Sequence, residues 1–186
     1  MRLCNYFLIV LFFSPFIVAE DFVEGSLFSS TLQFSDQNGE PFLLSQQRGH
    51  VQVVAFVYTG CRSVCPIIIA DLMRLDAMLP AALRASVHYL LVSLDAKNDS
   101  AASMKQFLQE HNMASSRWRF VRGSGDATRE MAMLFDVRYR EDAQEIAHSN
   151  LITVLDTQGL ISYQRKGSES LAAAVAAISA DLANQQ

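Results

Sequence analysis

Excess positive charge is missing from this sequence: 15 Lys and Arg stand against 19 Asp and Glu, a net charge of −4. A nucleic-acid partner, which needs a basic face, is therefore not expected. Cysteine is scarce as well. Three cysteines in 186 residues are far too few for a disulfide scaffold. No uninterrupted apolar run reaches the ~20 residues that a membrane-spanning helix takes. Repeats, low-complexity linkers and a second-domain boundary are also lacking. What is present is 51% hydrophobic and 18% charged, enough apolar material for one domain with a real core.

The first residues are a separate object. Arg2 is followed by an uncharged stretch over 5–19 that contains the run LIVLFF, and Glu20, Asp21 and Glu24 come abruptly after it. A short positive start, an apolar middle and a small residue at the end define a secretory signal. The expected organisation is a signal over 1–19, cleaved or retained as a membrane anchor, and one domain over 20–186. Ser14-Pro15 interrupts the apolar stretch, which favours cleavage over anchoring. The domain is expected in the periplasm, or on the periplasmic face of the inner membrane if the segment stays. Any membrane contact is expected through that segment alone. With Cys4 removed, Cys61 and Cys65 remain in an oxidising compartment.

Further along, two short runs over 31–34 and 40–44 flank Asn38-Gly39 and predict a β-hairpin. The segment 51–58 is β-branched and almost continuously apolar, as a strand buried on both faces should be. A helix is predicted over 66–79, with Ile68, Leu72, Leu75 and Leu79 as its inward stripe and Asp71, Arg74 and Asp76 in solvent. A strand at 87–94, a helix at 101–111, a short strand at 118–121 and a helix at 127–135 capped by Asp126 follow. Two strands at 151–155 and 160–164 flank a Thr-Gln-Gly turn before a closing helix over 168–183. Strands alternating with helices, then a late hairpin, imply a mixed sheet with helices on its faces. With cysteines at a strand-to-helix junction, the plan is α/β and thioredoxin-like.

Cys61 and Cys65 are four residues apart at that junction. If both are helical they share one face, about 6 Å apart at the backbone. That spacing suits a disulfide, a redox pair or two thiolates on one soft metal ion. A helix N-terminus stabilises thiolates, and Pro66 fits the first turn. A structural zinc site or an iron–sulfur cluster would need a second cysteine pair, which the sequence does not supply. Copper(I) needs only one more ligand, and His50, His88, His111 and His148 are the candidates. The residues alone do not choose among them.

The stretch Tyr58-Thr59-Gly60-Cys61-Arg62-Ser63-Val64-Cys65-Pro66 resembles the signature of the SCO/SenC family of copper chaperones: a strand ending in Tyr-Thr, then C-x-x-x-C-P. The segment 42–49 is similar to the family's lead-in. The segment 92–100 is similar to its S-V-D-P-x-x-D-T, and His148-Ser149 before an apolar strand is similar to its H-S. The resemblance runs over about residues 32–165 and implies a thioredoxin-like domain binding one copper, as Cu(I) or Cu(II), through Cys61, Cys65 and His148. It implies a role in building the copper A site of cytochrome c oxidase, with a copper-receiving subunit as partner. Asp95 matches the family aspartate near the site and is expected to steady a ligand or a proton from outside the ligand set. Departures are Ala96 in place of a proline, Gly60 in place of larger residues and Arg62 where an acidic residue is common.

Three functions follow as expectations. The first is a copper metallochaperone, which turns over no small molecule. The second is a thiol:disulfide oxidoreductase in which Cys61 and Cys65 are the redox pair, served by a thiol reductant partner; it does not need His148. The third is a structural disulfide pinning the first helix, for which His148 is irrelevant. Peroxidase chemistry, known on the same fold, has only Thr59 in its favour.

Overall fold

The computed structural model describes residues 22–142 and 145–184. The signal expected over 1–19 lies outside the described residues. A seven-stranded sheet runs in the order β2-β1-β5-β4-β3-β8-β9. Its strands are β1 (Gln33–Asp36), β2 (Pro41–Leu43), β3 (Val51–Val57), β4 (Val87–Ser93), β5 (Trp118–Gly123), β8 (Leu151–Leu155) and β9 (Ile161–Lys166). A separate two-stranded ribbon is made by β6 (Tyr139–Glu141) and β7 (Ile146–His148). The helices are α1 (Cys65–Met78), the short α2 (Ala81–Arg84), α3 (Ala101–Glu110), α4 (Gly125–Leu134) and α5 (Leu171–Ala183).

β3 is an inner strand beside the central β4, and each of its residues is buried. It pairs parallel with β4, which pairs parallel with β5; on its other side it pairs antiparallel with β8. The crossovers between parallel neighbours require helices, and α1 and α3 supply them. The late antiparallel pair β8–β9 is the expected hairpin. The expected N-terminal hairpin is β1–β2, closed by Asp36, whose Oδ1 accepts the Asn38 and Glu40 N–H groups at 2.8 and 3.1 Å. Gly39 in that turn has φ +82°, a conformation that asks for glycine. β1 also adds antiparallel to β5, which carries the hairpin into the main sheet.

Four details depart from the sequence reading. α2 and the β6–β7 ribbon, which sequence reading did not predict, are too short to show a period. The cap of α4 is Ser124, whose Oγ accepts the Ala127 N–H at 3.1 Å, while Asp126 pairs with Arg129 instead. α5 starts later than expected, with Ser170 as its cap. Above all, Asp71 is not in solvent but 2% exposed.

Asp71 sits on α1 beside the apolar stripe, and its carboxylate meets Arg165 of β9 at 2.8 Å. Arg74 closes on its other oxygen at 2.5 Å from the solvent side. Arg165 is 4% exposed, and its Nε also donates to the Glu169 carbonyl at 2.6 Å. The pair ties α1 to the edge strand β9, on the side where α1 and α5 pack. A buried pair of this kind adds little net stability, but breaking it leaves one uncompensated charge. Asp71→Leu, which leaves the buried Arg165 without its carboxylate, is expected to lower unfolding stability by about 3–5 kcal/mol in a denaturant titration. Asp71→Leu combined with Arg165→Met should recover most of that loss.

Candidate metal and thiol site

β3 ends at Val57, and the chain then turns through 58–64 before α1 begins at Cys65. The turn is closed by the Cys61 N–H, which donates to the Tyr58 carbonyl at 3.2 Å. Only Cys65 is helical, so the condition under which the pair would share one helical face is not met. Cys61 instead lies ahead of the helix, and the Cys65 N–H donates to its sulfur at 3.3 Å. A helix's first amides lack intrahelical partners, so one of them is turned to the sulfur. The two thiols are not joined; Cys65 is buried and Cys61 half-buried.

His148 arrives from the ribbon, where it pairs across from Tyr139. Its Nδ1 lies 3.1 Å from the Ser149 carbonyl, which can only accept, so Nδ1 carries the proton in the neutral ring. That leaves Nε2 as the acceptor, 3.4 Å from Cys65 Sγ. Burial holds the imidazole below its usual pKa, against the Ser149 carbonyl bond and the Glu145 charge, which favour protonation. Cys61, Cys65 and His148 thus bring two sulfurs and one ring nitrogen within 4.8 Å of one another.

The two thiols differ in character. Burial pushes Cys61 up, yet hydrogen bonds from the Cys65 thiol, the Cys65 and Ser63 N–H groups and the Tyr58 hydroxyl outweigh it and hold Cys61 below the usual thiol value. Burial drives Cys65 far up, and the neighbouring Cys61 and Asp99 charges add to the rise. Tyr58, whose hydroxyl faces Cys61, is itself pushed up to about 12, mainly by burial.

The loop is held from behind by an aspartate that sequence reading did not single out. Asp99 is 0% exposed. Its Oδ1 accepts the Thr59 N–H at 3.1 Å and the Thr59 hydroxyl at 2.5 Å, and its Oδ2 accepts the Ser93 hydroxyl at 2.6 Å. Burial raises its pKa against those hydrogen bonds. Asp95 has a different place: its carboxylate accepts from Asn98 N at 3.1 Å and from Asn98 Nδ2 at 3.0 and 2.8 Å, shaping the 95–99 turn. Both acids fall within the Asp95 to Asp99 stretch, and a spacing pattern does not say which of the two points inward. The other histidines lie elsewhere. His50 and His88 stack at 4.1 Å where β3 and β4 begin, at the far end from the cysteines. His111 packs on Phe107 at the end of α3.

Two thiols and a neutral imidazole, its tautomer fixed from behind, make a soft donor set that fits a thiophilic ion such as Cu(I). The same unequal thiols also fit disulfide exchange, with the half-exposed one attacking and the buried one resolving.

A thioredoxin-like domain with such a site defines a narrow class of proteins. The SCO1/SenC family model matches residues 22–183, and the chain belongs to that family. A relative from Stutzerimonas stutzeri, named as a copper-binding protein, is 30% identical over 77 residues, 41% of this chain and 38% of that protein's own length. A SCO1/SenC family lipoprotein from Bacillus anthracis superposes with a TM-score of 0.75 at 22% identity, covering 82% of this chain and 94% of that one. ScoI from Bradyrhizobium japonicum, solved with copper bound, superposes with a TM-score of 0.64 at 21% identity, covering 80% of this chain and 96% of that one. These likenesses agree with the thioredoxin-like plan of the sheet.

Two outcomes are expected. In the reduced protein, iodoacetamide should label Cys61 at least about tenfold faster than Cys65, read by peptide mass spectrometry. Asp99→Ala should cost about 2–4 kcal/mol in unfolding stability, because it strands the Thr59 N–H and the Ser93 hydroxyl without partners.

Proposed function

We propose that this chain is an exported metallochaperone that carries one copper ion on Cys61, Cys65 and His148 and assists the assembly of a copper site of the cytochrome c oxidase copper A type. Its copper-receiving partner is then an oxidase subunit. The observation that carries this reading is the convergence of two sulfurs and the unprotonated Nε2 within 4.8 Å. Membership of the SCO1/SenC family supports it, as does the copper bound in a structural relative. Copper is the cargo here. The chain's own residues present donors, keep the imidazole neutral and hold the thiol loop at the protein surface beside exposed Arg62 and Ser63.

Export rests on the sequence of the first 19 residues. Among the described residues no helix is long and apolar enough to cross a membrane. A periplasmic domain fits both statements, and the Bacillus anthracis relative is named a lipoprotein.

The unequal thiols favour a second reading, reduction of a target protein's disulfide. The Cys61 thiolate attacks one target sulfur and releases the other as a thiolate. Cys65, losing its proton, then attacks Cys61 Sγ and releases the second target thiolate. Two electrons pass to the target, and the Cys61–Cys65 disulfide is left for a thiol reductant partner to reduce.

A Cu(I) titration of the reduced domain against a chromogenic competitor tests the first reading. One tight equivalent is expected, abolished in Cys65→Ser and weakened at least about tenfold in His148→Ala. Tight copper binding that ignores His148, or none at all, would shift the assignment to disulfide reduction.

A further inference from the structure

The hydroxyl of Tyr58 has a role that three copper donors do not by themselves require. Tyr58 follows β3 directly and is 4% exposed, with its ring in the core. Its oxygen accepts the Ile146 N–H at 3.1 Å. Its backbone carbonyl accepts the Cys61 N–H at 3.2 Å. Its ring meets the His148 imidazole edge-on, with centroids 6.2 Å apart and planes at 68°. Ile146 opens β7, the strand that His148 closes. The ribbon and the main sheet share no ladder among the described residues. One residue therefore touches both the loop that carries the sulfurs and the ribbon that carries the imidazole.

A phenylalanine would fill the same space in the core, so packing does not account for the hydroxyl. A buried hydroxyl costs free energy unless its bonding capacity is used. Here the hydroxyl oxygen is engaged by the Ile146 N–H, on the ribbon that carries His148. We propose that Tyr58 is a positioning residue: by holding the Ile146 N–H on its hydroxyl and the Cys61 N–H on its carbonyl, it sets the separation of Cys61 and His148 before copper arrives. This inference rests on the copper reading for its purpose, but its geometry belongs to the metal-free protein. A donor set fixed in advance loses less conformational freedom on binding, and affinity rises accordingly.

The test uses Tyr58→Phe, His148→Ala and the double variant. In the metal-free protein, NMR-detected hydrogen exchange at the Ile146 amide should accelerate about tenfold or more in Tyr58→Phe, because its acceptor is gone. Cu(I) affinity of Tyr58→Phe should fall about tenfold. The double variant should bind Cu(I) within about twofold of His148→Ala alone, since a residue acting through His148 has nothing left to position. Three results would each overturn the proposal: an Ile146 amide as protected as in the parent, an unchanged Cu(I) affinity, or losses that multiply in the double variant. A parent protein without tight copper would overturn the copper reading instead. The metal-free exchange would then decide alone whether the hydroxyl joins ribbon to loop.

Discussion

The site depends on one buried carboxylate. Asp99 joins the end of β3, through Thr59, to the end of β4, through Ser93. The parallel pairing of β3 and β4 brings these two ends side by side, with Val57 opposite Ser93. Arg122, just beyond the β4–β5 pairing, donates to the Asp99 carbonyl at 3.0 Å and draws a third strand into the same knot. The sulfur half of the site is hung from this point. The sulfur loop starts at Thr59, and its geometry is inherited from a sheet whose register cannot slip without exposing its apolar strands.

From that anchor the two sulfurs acquire opposite characters, one set by burial and the other by the donors that face it. Cys65 is built into the first turn of α1, and burial disfavours its charged form. Cys61 stands one turn outside, where donors from Cys65, Ser63 and Tyr58 face it and together exceed its smaller burial. The imidazole follows the same logic with the sign reversed, since burial favours its neutral form, the form that donates a lone pair. One apolar environment thus keeps a histidine ready to ligate and one thiol quiet while a second thiol remains reactive.

Much of this was legible in the chain. The central strands announce themselves by continuous β-branched runs, and the C-x-x-x-C-P motif with a later His-Ser names the three residues that the fold brings together. The sheet gathers what the motif named, because β3 leads into Cys61 and β8 follows His148, and these strands are neighbours. What stayed hidden is long-range. Asp71 looks like a solvent residue because its partner, Arg165, belongs to a strand formed much later in the sequence. Asp99 sits in a polar turn beside Asp95, and nothing local says which acid turns inward. The ribbon was missed because strands of three residues carry no period to read. Tyr58 could have been noticed: a hydroxyl at the end of an otherwise apolar strand is a polar group in want of partners.

The ribbon that carries His148 has its own two-stranded ladder. Over evolutionary time such a segment is an independent part. Its length and side chains are free to drift without altering the pairing of the main sheet, as surface connections do in many folds. The two cysteines have no such freedom, because they sit in a strand-to-helix junction whose strand and helix are both built into the core. Descendants of this chain can therefore change the third donor while the thiol pair stays fixed, and one scaffold can give rise to metal carriers and to purely thiol-based reductants.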